Sequence, residues 1–220
     1  MFWWTKQRLG IMKERDIIIP EFDASTFVMP FQMKDTNICD DIIKYYENDV
    51  YYKHEGYSSS GDGKKSTDVN VFFTCNHPAI VEYRNMISDF CRTYFEWYDV
   101  DMSALEMGDA FNIQHYKPGE GFYAEHYERT ASTHYERVLV FMTYLNTVED
   151  GGGTHFRFQN LTTKAEKGLT LLWPSEFTHI HKGIISPTEH KYIATGWFNF
   201  VDAKNAWYNG IEWQKNNKDV

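Results

Sequence analysis

His126-Tyr127-Glu128 places an imidazole and a carboxylate two residues apart. On an extended strand, residues i and i+2 leave the same face, so both groups can enter one cavity. Such a pair supplies two of the three donors in a 2-His-1-carboxylate set, which grips one face of a non-haem Fe(II) ion and leaves the opposite positions open. The pair alone decides little, because nine histidines are spread over the chain.

A further imidazole is offered by His179-Ile180-His181, after Trp173-Pro174 closes an apolar run. These two histidines also share a strand face, so their spacing does not choose between them. Lys191 then opens the apolar stretch Tyr192–Phe200. A lysine at the mouth of a β-sandwich can anchor a carboxylate by charge and hydrogen bonds. The chain thus carries parts for a metal and for an anionic co-ligand. The other histidines read as ordinary: His134 lies in a polar loop, His155 beside a glycine turn, and His115 alternates away from Tyr116, while His54, His77 and His190 join no constellation. Gly151-Gly152-Gly153 lacks the lysine of a phosphate loop and reads as a tight turn.

Strands must position these groups. Phe111–Tyr116, Arg137–Leu145, Gly168–Trp173 and Tyr192–Phe200 are short and rich in β-branched and aromatic residues, with turn chemistry between them. Two helices precede them. Asp35-Thr36-Asn37 offers caps for Ile38, Ile42, Ile43 and Tyr46, ending near Asn48-Asp49. Pro78 begins a second, whose stripe is Ile80, Tyr83, Met86, Ile87, Phe90, Cys91 and Tyr94. Extended runs are expected at Asp16–Pro20 and Thr26–Met33. Helices first and antiparallel strands second predict an α+β domain around a two-sheet sandwich or jelly roll. The 220 residues fit one domain: 1–107 a helical support with edge strands, 108–200 the core, 201–220 a tail. Residues 54–68 are polar and glycine-bearing and read as a mobile surface loop, or as a lid bringing Tyr52 and Tyr57 over a cleft.

A net charge of −9 argues against a nucleic-acid surface, and Lys64-Lys65 is too short a basic run to reverse it. Three cysteines without a CxxC pair fit reduced thiols. The opening MFWWTKQRLG meets charge too early for a signal sequence, and no apolar run spans a membrane. A soluble, cytoplasmic protein is the expectation.

Taken in order, Tyr116-Lys117-Pro118-Gly119-Glu120, His126-x-Glu128, Arg137 through Tyr144-Leu145-Asn146, Gly151-Gly152-Gly153-Thr154-x-Phe156, Lys167-Gly168, His181-x-Gly183, and Lys191 with Trp197 resemble the catalytic core of the prolyl 4-hydroxylase-like family of Fe(II)/2-oxoglutarate-dependent oxygenases. The resemblance covers roughly residues 108–200 and implies a double-stranded β-helix (jelly-roll, cupin-like) core on supporting N-terminal helices. It implies Fe(II), 2-oxoglutarate and O₂, with ascorbate as an optional reductant. His126, Glu128 and His181 would bind iron, and His179 would be a neighbouring or cleft group. Lys191 would hold the far carboxylate of 2-oxoglutarate, with Tyr116 and Tyr144 lining that pocket. Arg137 would meet substrate at the cavity mouth, and Trp197 would form a wall. Phe111, Ile113, Leu139, Phe141, Leu171 and Trp197 fit an apolar wall around the site, and each is also explained as core. One position departs from the family pattern: Glu128 stands where aspartate is usual. The implied activity is hydroxylation of a C–H bond, by default of a peptidyl proline. A hydroxylase of a free amino acid or small metabolite is the alternative, as is a non-catalytic interaction module on a relict fold.

Overall fold

The computed structural model describes residues 17–57, 63–101, 105–131 and 134–200. The start of the run Asp16–Pro20 and the tail 201–220 lie outside them.

The first helix, α1 (Asn37–Asn48), starts where the Asp35 carboxylate accepts from the Asn37 N–H at 2.9 Å. It buries Ile38, Cys39, Ile42 and Tyr46. Helix α2 (Pro78–Tyr98) has proline in its first turn and ends at Asp99, whose φ of +58° lets its N–H reach back to the Phe95 and Glu96 carbonyls. Its buried face is Ala79, Ile80, Tyr83, Ile87, Phe90, Cys91, Thr93 and Tyr94. Met86, expected in that stripe, is only partly buried at its margin.

The strands, in chain order, are β1 (Ile17–Ile18), β2 (Met29–Met33), β3 (His54–Glu55), β4 (Lys64–Lys65), β5 (Thr67–Phe72), β6 (Leu105–Met107), β7 (Ala110–Tyr116), β8 (Gly121–Phe122), β9 (Arg137–Tyr144), β10 (Thr154–Phe156), β11 (Leu161–Thr162), β12 (Leu169–Pro174), β13 (His181–Gly183) and β14 (Lys191–Phe200). A nine-stranded antiparallel sheet runs β1-β2-β12-β9-β14-β7-β5-β3, with β6 on β14. The smaller sheet β11-β10-β13 packs across one face of it, where Phe156 joins Val140, Met142, Tyr144, Leu171, Trp173 and Ile193. The two-stranded β4-β8 ribbon lies beside β13. This is the expected α+β arrangement with a jelly-roll core. Both helices cover the other face of the large sheet. There Phe31 stacks on Phe90 at 4.8 Å between ring centroids, and Tyr83 meets Phe111 at 5.4 Å. Central strand β9 is therefore buried on both sides from Leu139 to Tyr144.

One expectation is corrected by these strands. Residues 54–68 are not simply a surface loop: β3 and β4 lie within them, and β5 begins before they end. Their polar side chains satisfy one another, with the Lys64 ammonium 2.5 Å from Asp68 Oδ2 and the Ser66 hydroxyl donating to Asp68 Oδ1 at 2.7 Å. Of the six residues that read either as a wall or as core, Phe111, Ile113, Leu139 and Phe141 face the helices and join their core, Leu171 packs between the sheets, and Trp197 lines the cavity. Alternation tells which residues share a face; it does not tell which face meets the cavity.

Candidate metal and carboxylate site

A cavity of about 520 Å³ opens between the two sheets. Its floor is the second face of β7 and β14. Lys191 pairs across the strands with Tyr116, Ile193 with Gln114, and Thr195 with Asn112, and all six line it. Trp197 continues the β14 row, Met142 enters from β9 and Thr154 from β10.

His126 and His181 face each other through an antiparallel bridge, each N–H reaching the other's carbonyl at 2.9 Å. This backbone pairing forces residues 55 apart in sequence side by side. Glu128 follows two residues on, outside any strand, its N–H bonded to the Ser175 carbonyl at 3.1 Å. Donor atoms of His126, Glu128 and His181 all lie within 4.8 Å of one another. The two imidazoles are oriented from behind. Nδ1 of His126 lies 3.0 Å from the Ala124 carbonyl, and Nδ1 of His181 lies 2.9 Å from the His179 carbonyl. A carbonyl only accepts, so Nδ1 carries the proton in each ring and the Nε2 lone pair points inward. These Nε2 atoms stand 3.4 and 3.6 Å from Glu128 Oε1. Two lone pairs and a carboxylate oxygen repel one another unless a cation sits among them, and holding a metal-ligating imidazole by its other nitrogen is the usual supporting arrangement. The residues fit a metal. Without a metal, the cation can only be a proton on a ring's Nε2. Burial would raise the Glu128 carboxyl, but imidazoles so protonated hold it well below the usual carboxylate range. Burial pushes His181 down, toward the neutral form a metal needs. Rings also brace the pair, with Phe122 stacked on His126 at 3.6 Å and Trp173 edge-on to His181 at 5.0 Å.

Lys191 is the second feature. Its side chain is buried, and among the described residues it has neither a carboxylate nor a hydrogen-bond acceptor. Burial alone brings it down to about 7. It lies 5.6 and 5.3 Å from the ring centroids of Tyr116 and Tyr144. A buried ammonium without a counter-ion is costly, and an anion entering the cavity removes that cost.

The other site candidates fall as follows. Tyr116 lines the cavity, its hydroxyl donating to Gln114 Oε1 at 2.6 Å. Tyr144 does not line it: the hydroxyl is engaged by Thr154 at 2.7 Å and Thr163 at 2.9 Å, leaving Thr154 to face the space. Trp197 lines the cavity and donates its indole N–H to Glu128 Oε2 at 3.1 Å. Arg137 is at the cavity but turned onto Glu128, 3.0 Å from its carbonyl and 3.4 Å from Oε2. The His179 ring points away, to the Thr26 carbonyl at 3.0 Å; only its backbone serves the site. His134, read as ordinary, is at the rim. Asn112, Gln114, Thr195 and Met142 line the cavity as well, and parity with Tyr116 and Trp197 marks all but Met142 in the sequence. Nothing in the sequence marks Phe122 or Lys64.

The family model described as the 2OG-Fe(II) oxygenase superfamily matches residues 111–199. A protein named probable prolyl 4-hydroxylase 9, from Arabidopsis thaliana, is 31% identical over a stretch that covers 43% of this chain and 42% of that protein. The chain thus spans under half the length of this curated relative. Among solved structures, a viral collagen prolyl hydroxylase from Paramecium bursaria Chlorella virus-1, in complex with 2-oxoglutarate, superposes with a TM-score of 0.60 at 18% identity, covering 80% of this chain and 97% of that one. A Pseudomonas putida prolyl-4-hydroxylase gives a TM-score of 0.61 at 12% identity, covering 89% and 98%. At such identities these two speak for the fold alone. In the sequence of its core and in the fold of most of its length, the chain resembles the prolyl 4-hydroxylase-like 2-oxoglutarate/Fe(II) oxygenases.

Proposed function

We propose that this chain is an Fe(II)/2-oxoglutarate-dependent dioxygenase that hydroxylates a C–H bond of a peptidyl prolyl residue. The observation that carries the reading is the pairing, in one cavity, of an inward-pointing His126, Glu128, His181 donor set with a buried ammonium, Lys191, that has no anion of its own among the described residues.

Iron and 2-oxoglutarate, when bound, supply the oxidising chemistry, by which 2-oxoglutarate, O₂ and a C–H bond become succinate, CO₂ and an alcohol. His126, Glu128 and His181 hold the metal from one side. Lys191 takes the far carboxylate of 2-oxoglutarate, and Tyr116 and Thr154 border the same end. Phe122, Trp173 and Ile193 keep water from the wall behind the metal. The volume suits a small dicarboxylate and one substrate side chain. Tyr57, Tyr127 and the Arg157–Glu125 ion pair line the cavity too, and support a substrate that continues outside it, as a peptide does. The named activity of the relatives favours proline as the residue that enters. All three cysteines are unpaired, which supports our placing the protein in the cytoplasm.

The test is succinate formation with Fe(II), 2-oxoglutarate and either proline-containing peptides or free amino acids. Turnover is expected with the peptides and is expected to vanish in His126→Ala. Turnover with free amino acids alone would overturn the peptidyl reading, and none under any condition after anaerobic Fe(II) loading would favour an interaction module.

A further inference from the structure

Glu128 is one methylene longer than the aspartate the resemblance leads one to expect, and the structure shows where the extra length goes. Its two oxygens have different surroundings. Oε1 faces the Nε2 atoms of His126 and His181. Oε2 is turned back, accepting the Trp197 indole N–H at 3.1 Å and lying 3.4 Å from Arg137 Nη1. The same Nη1 donates to the Glu128 backbone carbonyl at 3.0 Å, so Arg137 grips both ends of the residue. Its guanidinium carbon sits 3.5 Å from the centre of the Trp197 ring, locking the two holders together. The Arg137 and Glu128 side chains are only 16% and 15% exposed, so these contacts operate largely out of water.

That asymmetry matters to a metal. Three protein donors on one face leave three positions, two for a chelating cosubstrate and one for O₂. A glutamate has the reach to offer both oxygens, and the second would take a position the reaction needs. Swinging Oε2 inward breaks a hydrogen bond and an ion pair, both charge-assisted.

We propose that Arg137 and Trp197 form a clamp that restricts Glu128 to a single donor oxygen, which makes a glutamate serviceable at this position. Arg137 is then a positioning residue acting through Glu128, not a substrate contact at the mouth. The inference rests on reading His126, Glu128 and His181 as the metal ligands.

Co(II) serves as the probe. Trp197→Phe keeps a ring and removes the N–H; Arg137→Gln removes the grip on both ends. Both variants are expected to bind Co(II) within about threefold of wild type, because no donor is lost. Their visible Co(II) absorption should weaken as the coordination number rises. Affinity of the Co(II)-loaded protein for 2-oxoglutarate should fall by about tenfold or more, because the freed glutamate oxygen competes with it for a position on the metal. Wild type gives a readout independent of variant folding: the infrared difference spectrum on adding Co(II), with Glu128→Gln as the control. A wide separation of the antisymmetric and symmetric carboxylate bands is expected for one donor oxygen; a narrow one would overturn the clamp. Normal Co(II) binding with unchanged spectra and 2-oxoglutarate affinity in both variants would also overturn it, leaving the metal site intact. Absence of Co(II) binding by wild type would sink the metal reading itself, and the clamp with it.

Discussion

The two faces of the large sheet are built from the same strands and do opposite work. On β7, Phe111 and Ile113 look toward the helices while Asn112, Gln114 and Tyr116 look into the cavity. On β14, Ala194 and Phe198 join the helical core, while Lys191, Thr195 and Trp197 line the cavity. One face is apolar, filled and served by packing. The other holds an ammonium that has no counter-ion among the described residues, and converging donors that destabilise the empty protein and become favourable when ligands arrive. Stability and chemistry are thus separated by a single step in residue parity, and substitutions one residue apart should fail in different ways.

The largest separation is expected between His126→Ala and Phe141→Ala. The first should lose 2-oxoglutarate turnover by at least a thousandfold, while the metal-free protein melts within a few degrees of wild type (a ΔΔG of about 1 kcal/mol or less). The second leaves a cavity among Tyr83, Phe111 and Phe198. It should lower unfolding free energy by about 3–5 kcal/mol in denaturant titrations. Equal loss of stability in both would break the comparison.

Lys191→Ala should weaken 2-oxoglutarate binding about 30-fold or more, the low end for removing one partner of a buried charged pair. It should leave the empty protein no less stable, because the group removed is an unpaired buried charge. Calorimetric titration and thermal melting, run on one preparation, check both halves.

A smaller effect is graded with pH. Lys191 stands near 7 in the folded protein against an ordinary 10.5. Between those values the unfolded chain holds a proton that the folded one lacks, so this group makes the empty protein more stable as pH rises through the window. A bound dicarboxylate restores the ammonium, so binding takes up a proton. Affinity for 2-oxoglutarate should then fall by up to about tenfold per pH unit above 7, and Lys191→Ala should flatten the slope.

The donor set was legible because residues two apart can enter one cavity, as His126 and Glu128 do although only His126 makes a β-bridge and no strand includes either, and because the ordered motifs favour His181 over His179. Helices α1 and α2 were legible from their caps and apolar stripes. Which side of β7 faces the cavity was not, since Phe111 and Ile113 read as plausibly as a wall as they do as core; only the helices packing on one face decide it. The resemblance puts Tyr144 in the cosubstrate pocket, but its hydroxyl is taken by Thr154 and Thr163 on neighbouring turns of chain. The strands within 54–68 were hidden because lysine, serine and aspartate read as solvated until Lys64 and Asp68 are seen to pair.

The central claim is that metal and dicarboxylate share one cavity, each held by its own residues and each improving the place of the other. Its most direct measurement is an anaerobic calorimetric titration of 2-oxoglutarate into wild type with and without Fe(II), repeated with His126→Ala and Lys191→Ala. Tight binding only to Fe(II)-loaded wild type, weakened in both variants, is the expected result. Binding to wild type that is indifferent to Fe(II), or that survives both substitutions, would contradict it.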